Sequence, residues 1–278
     1  NLLALAAADG LDPRLYVAFV DRELNDVLSV DGSAEFALAV LALGRASTPA
    51  SNSLLLASNR LLLRRGEVPG YPLAERLHAA SALDDAAAVH AWRSNPEGEE
   101  PRLERDALAR AIRRRSSVRT YARAPLPRAE LAELLAWSEA PIPADASRVV
   151  RQLATVAAVD GLAPGIHDAS LAPLRTLPEE EVRERAGFVA MEQEHPRDAA
   201  VNVFQLANLA GLDDRGYRWA QLEAGIRAGR LQTGAFARGW GAAASTFYDD
   251  EVSRFLGTDD APMLLVALGP RSVPAEAG

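Results

Sequence analysis

Apolar positions that recur every three or four residues mark the helices of this chain, and short β-rich apolar runs mark its strands. Helices are predicted through LERDALARAIRRR (103–115) and RAELAELLAWSEA (128–140), the second with Leu131, Leu134 and Leu135 on one face. A short helix opens with Pro and Glu at PEEEVRERAGF (178–188), a long one runs from about Tyr217 to Ala243, and a short acidic one covers Asp249 to Phe255. Strands are predicted at Leu153–Val159, Ala200–Leu206 and Met263–Leu268. These elements do not alternate as regular βαβ units, so the predicted class is α+β, a sheet with helices packed on it.

Sliding the chain on itself exposes an internal repeat. Phe19, Asp21, Glu23, Leu28 and Asp31 recur 228 positions later as Phe247, Asp249, Glu251, Leu256 and Asp259. Each copy runs into an apolar strand with a similar ending, ALAVLALGR (37–45) in the first and LLVALGPR (264–271) in the second, and each follows an Ala-rich helix that closes near a Gly, at Gly10 or Gly239. A shared order of helix, loop, acidic helix and strand predicts that residues 1–45 are the end of one domain and that residues 101–278 hold a second, complete one. Residues 46–100 read as a linker, turn-rich at STPASNS and NPEGEE, around one helix from about Leu73 to Trp92.

Composition narrows the chemistry. A net charge of −8 over 278 residues argues against a protein that coats nucleic acid, which needs a broad basic surface. The chain has neither Lys nor Cys, which excludes a Schiff-base lysine, a thiolate nucleophile and any sulfur-ligated metal. His78, His90, His167 and His195 lack metal-like spacing, so no metal site is predicted. No stretch is long and apolar enough to span a bilayer and no signal-peptide pattern opens the chain, so a cytoplasmic location is expected. The opening NLLALAAADGL looks like the middle of an amphipathic helix, which suggests a processed or truncated start.

The densest basic cluster is Arg113, Arg114, Arg115, Ser116, Ser117, Val118 and Arg119, where a helix gives way to a loop. Guanidinium forks and neighbouring hydroxyls suit a mononucleotide phosphate. Arginines that complement a helix dipole explain the same cluster, and both readings stay open on the residues alone. Arg271, after the last strand, joins the phosphate reading if strand and loop are neighbours. Arg45 sits in the equivalent place in the first copy.

RRSSVRTY followed by PLPRAELAELLAWSEA resembles the opening of nitroreductase-superfamily domains. VDGLAPGIHDASLAPLRTL (159–177), DRGYRWAQLEAG (214–225) and the repeated ending resemble the SagB-type, azoline-oxidising branch. The resemblance implies a mainly antiparallel central sheet flanked by helices, with a long core helix at a pseudo-dimer interface. It also implies flavin mononucleotide (FMN) shared between two such domains, and oxidation of thiazolines or oxazolines in ribosomal peptides to azoles. By position, Arg115, Ser116, Ser117, Arg119 and Arg271 match the FMN-phosphate contacts. The implied partners are a second nitroreductase-like domain or chain and an azoline peptide.

The departures are specific. The Ser-Gly turn that approaches the flavin is APIPADASRVV (140–150) here, the catalytic Lys-Tyr pair falls on Gly211 and Leu212, and Ile226 stands in place of a His. Tyr217 and Arg218 are the remaining candidates for catalysis, although a Tyr and an Arg at a helix start more often pack and cap. A flavin-free scaffold and an NAD(P)H-driven nitro or quinone reductase are the rival readings.

Overall fold

The structure, a computed structural model, describes residues 1–33, 35–44, 70–94 and 98–272. Arg45, the STPASNS stretch and Asn95 to Glu97 of NPEGEE lie outside the described residues. The N-terminal part comprises α1 (Leu2–Ala8), β1 (Arg14–Tyr16), α2 (Asp21–Leu28) and β2 (Val40–Ala42). Next come α3 (Pro72–Ala80) and α4 (Ala86–Trp92), then α5 (Arg105–Arg114) and α6 (Arg128–Glu139). The remainder is β3 (Val150–Val156), β4 (Gly165–Asp168), β5 (Pro173–Thr176), α7 (Glu179–Val189), α8 (Glu194–Asp198), β6 (Val201–Ala207), α9 (Asp214–Ala237), β7 (Gly241–Ser245), α10 (Asp249–Leu256) and β8 (Ala261–Gly269). The mixed class with an antiparallel sheet is as expected.

Six strands form one antiparallel sheet in the order β5-β4-β3-β6-β8-β7. Alternate side chains face opposite ways along a strand. Val201 and Val203 of β6 therefore join Leu131, Leu134, Leu135, Ala228 and Leu231 under α6 and α9. Phe204 and Leu206 join Ile166, Val189, Val252 and Phe255 under α7 and α10 on the other face. Both faces are covered, which is why VNVFQLA is buried throughout.

Two predicted helices are corrected. The long helix stops at Ala237, with Gly239 at φ +79° and the Trp240 N–H bonded back to the Ala235 carbonyl at 2.9 Å. The Ala run beyond it becomes β7, because pairing with β8 outweighs the helical preference of alanine. The helix expected over Leu73–Trp92 is two, interrupted where Asp85 caps α4 by accepting from the Ala88 N–H at 2.8 Å. The interruption also serves a buried carboxylate: the Leu83 N–H donates to Asp21 at 3.0 Å.

The internal repeat recurs as geometry. In the first copy Leu11 N–H bonds to the Ala6 carbonyl beside Gly10 at φ +75°, the counterpart of Trp240, Ala235 and Gly239. α2 and α10 both end in a left-handed cap, at Ser29 and Gly257. β1 pairs antiparallel with β2 as β7 does with β8.

Asp21 fastens the first copy to α9. Its carboxylate takes Arg215 at 2.7 Å and Arg218 at 2.8 Å, and Asp21 and Arg215 are both buried. Asp21→Ala leaves two guanidiniums in a desolvated site, a loss of about 3–5 kcal/mol for a broken buried pair. Urea denaturation should show that drop, and limited proteolysis should cut residues 1–44 first.

Candidate anion site on the bend after α5

α5 is built to carry charge at its end. Glu104 caps its first turn, accepting from the Asp106 and Ala107 N–H groups, and Arg113 and Arg114 fill its last turn. Arg115 then leaves the helix in an extended conformation, and the chain crosses the ends of β7 and β8. Val118 N–H donates to the Ala242 carbonyl at 3.1 Å, Ala122 N–H to the Pro270 carbonyl at 2.9 Å, and Tyr121 bridges Arg271. Loop and last strand are therefore neighbours, the condition on which Arg271 joins the cluster.

A slot made by two glycines seats the bend. Gly241 and Gly269 are register partners in β7 and β8. A Cβ on Gly241 would lie 2.6 Å from Val118 Cγ1, and one on Gly269 would lie 2.9 Å from Tyr121 Cδ1. The Tyr121 ring fills that slot, its hydroxyl donating to the Ala267 carbonyl at 3.0 Å, and burial pushes its pKa up.

Arg115 donates to Gln232 Oε1 at 3.1 Å. Arg271 donates to the Trp240 carbonyl at 3.0 Å and stacks 4.2 Å over the Phe236 ring. Gln232 and Phe236 are one turn apart on α9, so these two guanidiniums sit on adjacent turns of the same helix. Arg119 faces the α8 side, where its charge, second to burial, helps hold the buried His195 below the usual imidazole value. Ser116 and Ser117 are exposed between them.

The bend gathers arginines that lack counter-charge. Arg215, Arg218, Arg227, Arg230 and Arg183 all pair with carboxylates. Among the described residues no carboxylate pairs with Arg113, Arg114, Arg115, Arg119 or Arg271. Guanidiniums without counter-charge, with hydroxyls between them, carry the donors that an anion would need.

Tyr217 and Arg218 are not part of it. Fifteen residues of α9 separate Tyr217 from Gln232, roughly 22 Å of helix. Arg218 is committed to Asp21 and to the Ala37 and Leu38 carbonyls, and Tyr217 accepts from Gln221 at 3.0 Å, which are the contacts of anchoring and packing residues. APIPADASRVV is likewise occupied: Leu15 bridges Ala144, and Asp145 accepts from Val17 N–H at 2.7 Å and from Arg93 at 3.0 Å. Sequence reasoning missed Gln232, Tyr121 and the glycine slot. The signal was the small-residue run GWGAAAS, which reads as helix until β7 is paired.

A sequence profile of the nitroreductase family matches residues 112–270, from the end of α5 to the residue before Arg271. The crystal structure of a protein assigned as a nitroreductase from Anabaena variabilis superposes with a TM-score of 0.73 at 24% identity, covering 96% of this chain and 62% of that one. The NfrA1 nitroreductase of Bacillus subtilis gives 0.46 at 14% identity, covering 62% of this chain and 69% of its own. Nitroreductase A of Vibrio parahaemolyticus gives 0.45 at 16%, covering 62% and 70%. The chain thus spans less than two thirds of the Anabaena protein, and at that identity the likeness is one of fold. No curated protein sequence matches the chain.

Gly241→Val should lift the bend from its slot and cost about 1–3 kcal/mol by overpacking, read from the urea midpoint. Gly225→Ala, with nothing within 4 Å of the added methyl, should instead be neutral or gain up to about 1 kcal/mol.

His195 gives a pH test. Its folded pKa lies below the ordinary 6.5, so the unfolded chain takes the proton first. That contribution to stability is complete above about 6.5 and declines as pH falls below it toward the folded value. Arg119→Ala should raise the His195 pKa in an NMR titration and flatten the decline. An unmoved pKa removes Arg119 from this neighbourhood.

Proposed function

This chain belongs to the nitroreductase family, and from that premise we propose that it is part of an FMN-dependent oxidoreductase of the SagB-type branch, oxidising azolines in ribosomal peptides to azoles. The observation that carries the cofactor assignment is the bend without counter-charge. Arg115, Arg119 and Arg271 would hold the phosphate dianion, with the Ser116 and Ser117 hydroxyls donating to the same oxygens. Bound FMN supplies a hydride acceptor in its isoalloxazine ring.

What this chain contributes is binding and orientation. The Tyr121 slot and the contacts of Arg115 and Arg271 with α9 fix the donors before any ligand arrives, so little ordering cost falls on binding. The APIPADASRVV segment already holds β1 and Arg93. We assign the ring contacts, and the base that takes the azoline proton, to a second nitroreductase-like unit. The order of RRSSVRTY, GLAPG, DRGYRWAQLEAG and the closing strand supports the azoline branch over other members of the family.

Two measurements test this reading. The purified full-length protein should show flavin bands near ~450 nm, and Arg115→Ala/Arg119→Ala should lose at least about tenfold in FMN affinity, the equivalent of about 1.4 kcal/mol, with Arg271→Ala weaker than wild type. Flavin-free protein supports a scaffold role instead. Oxygen consumption with an azoline peptide marks the oxidative direction, and NADPH oxidation with a quinone as the only activity marks a reductase.

A further inference from the structure

α7 and α10 cover the sheet face turned away from α9, and where they meet they leave aromatic side chains in solvent. The Tyr248 N–H donates to the Val189 carbonyl at 2.8 Å, which joins the start of α10 to the end of α7. Gln193 ties the same two segments, donating to the Ala190 carbonyl at 2.8 Å and to the Thr246 hydroxyl at 3.3 Å. On this seam Phe188 is 39% exposed, Met191 46% and Tyr248 40%, with the Phe188 and Tyr248 rings tilted and 6.1 Å apart. Aromatic residues and Met are the types that anchor protein interfaces.

The backbone that presents Met191 is costly. Met191 and Glu192 follow one another in the left-handed region, at φ +61° and +59°. A left-handed residue after a helix is ordinary when it is Gly or Asn, and the turn from α7 to α8 would be served by either. Two successive side chains that disfavour this region, one of them large, apolar and half out of water, are more than the turn requires. Strain kept where a relaxed residue would do points to the side chain itself.

Charge selects what the seam would receive. Glu192, Glu194, Asp249 and Asp250 are exposed beside it, and among the described residues none of them is ion-paired. Of the arginines nearby, Arg197 meets Glu184 at 3.5 Å and Arg254 meets Glu251, so Arg185 is the cation without a carboxylate there among the described residues. Complementing a helix dipole accounts for Glu194, Asp249 and Asp250, in the first turns of α8 and α10, but not for Glu192. A second copy of this chain would set the same carboxylates face to face, and an anionic membrane or a nucleic acid would be repelled by them. A partner with cations around an apolar anchor meets neither obstacle. We infer that the seam of Phe188, Met191 and Tyr248 is a docking surface for a basic polypeptide segment. The segment seats an apolar side chain among these three and sets its cations against Glu192, Asp249 and Asp250. The seam shares no residue with the bend, so the inference goes beyond the redox reading and stands without it.

The test uses the full-length protein, with methionine labelled at its methyl carbon, and a short helical peptide made only of Leu and Lys in an amphipathic pattern. The expected result is a shift of the Met191 methyl signal, while that of Met263, which is 8% exposed, stays in place. The same pattern in Leu and Glu should move neither, and one in Ser and Lys should bind at least about tenfold more weakly. Tyr248→Ser and the rim variant Glu192→Gln/Asp249→Asn/Asp250→Asn should each cost about tenfold in affinity, and only the second should flatten the salt dependence. Met191→Gly should weaken the peptide as much while the urea midpoint stays level or rises, since glycine takes φ +61° freely. Four results overturn the inference: an unmoved Met191 signal, a Leu/Glu peptide that binds as well, affinity indifferent to Tyr248→Ser or Met191→Gly, or self-association of the free protein through this seam.

Discussion

Buried charge on α9 is the constraint around which the rest of the molecule is arranged. Arg215, Glu223, Arg227 and Arg230 lie on one helix between the sheet and the N-terminal layer, all out of water. An unmatched charge in such a place costs several kcal/mol, so each side chain dictates a neighbour. Asp21 must reach Arg215. Glu223 must accept from the N–H groups of Val149 and Val150 as well as from Arg227, which fixes the start of β3. Arg230 must meet Glu100 and the carbonyls of Trp137, Ser138, Ala140 and Pro141, which fixes the end of α6. The helix cannot slide by a turn without breaking all three arrangements. Gln232 and Phe236 ride on it, so the same matching sets where Arg115 and Arg271 stand.

Against that background the arginines of the bend are a contrast. Along α9 a carboxylate meets each guanidinium, Arg238 at its end included, whereas those of the bend have none among the described residues. A protein of net charge −8 repels anions at long range, so an anion site must be a local concentration of positive charge held at fixed geometry. The glycine slot supplies the geometry and the helix end supplies the charge. Neither suffices alone: Arg113 and Arg114 have charge in the last turn of α5 without a slot, and they fit the dipole reading as well as any other.

Sequence reasoning was reliable where one segment decided its own fate. β6 was legible within a residue because apolar side chains stand on both faces of its strand, and α6 was legible from Leu131, Leu134 and Leu135. It failed where a distant partner decides. Ala242 to Ala244 prefer helix locally and are strand only because β8 lies beside them. The break between α3 and α4 serves Asp21, some sixty residues earlier in the chain. The hairpin of β4 and β5 escaped notice because GLAPG reads as a turn with nothing to pair. At the site, charge and hydroxyls were visible as residue types, whereas the slot required knowing that Gly241 and Gly269 are opposite one another. Tyr217 and Arg218 were named from their place at a helix start, and only the fold shows that they sit roughly 22 Å of helix away from the bend.

The repeat shows the same division from another side. Left-handed caps and the helix-ending Gly recur in both copies because each needs only a few adjacent residues. Burial does not recur, since it belongs to the neighbours. α10 turns Val252, Phe255 and Leu256 inward and leaves Asp249 in solvent, while α2 buries Asp21 and Asn25 and leaves Val27 and Leu28 out. One helix is held by apolar area against a sheet body, the other by a carboxylate gripping two arginines of α9. The second kind of attachment is strong only while its charges stay paired and dry, and it leaves the apolar side unsatisfied. An ion-paired first copy is therefore held by charge on one side, with Val27 and Leu28 left in solvent on the other.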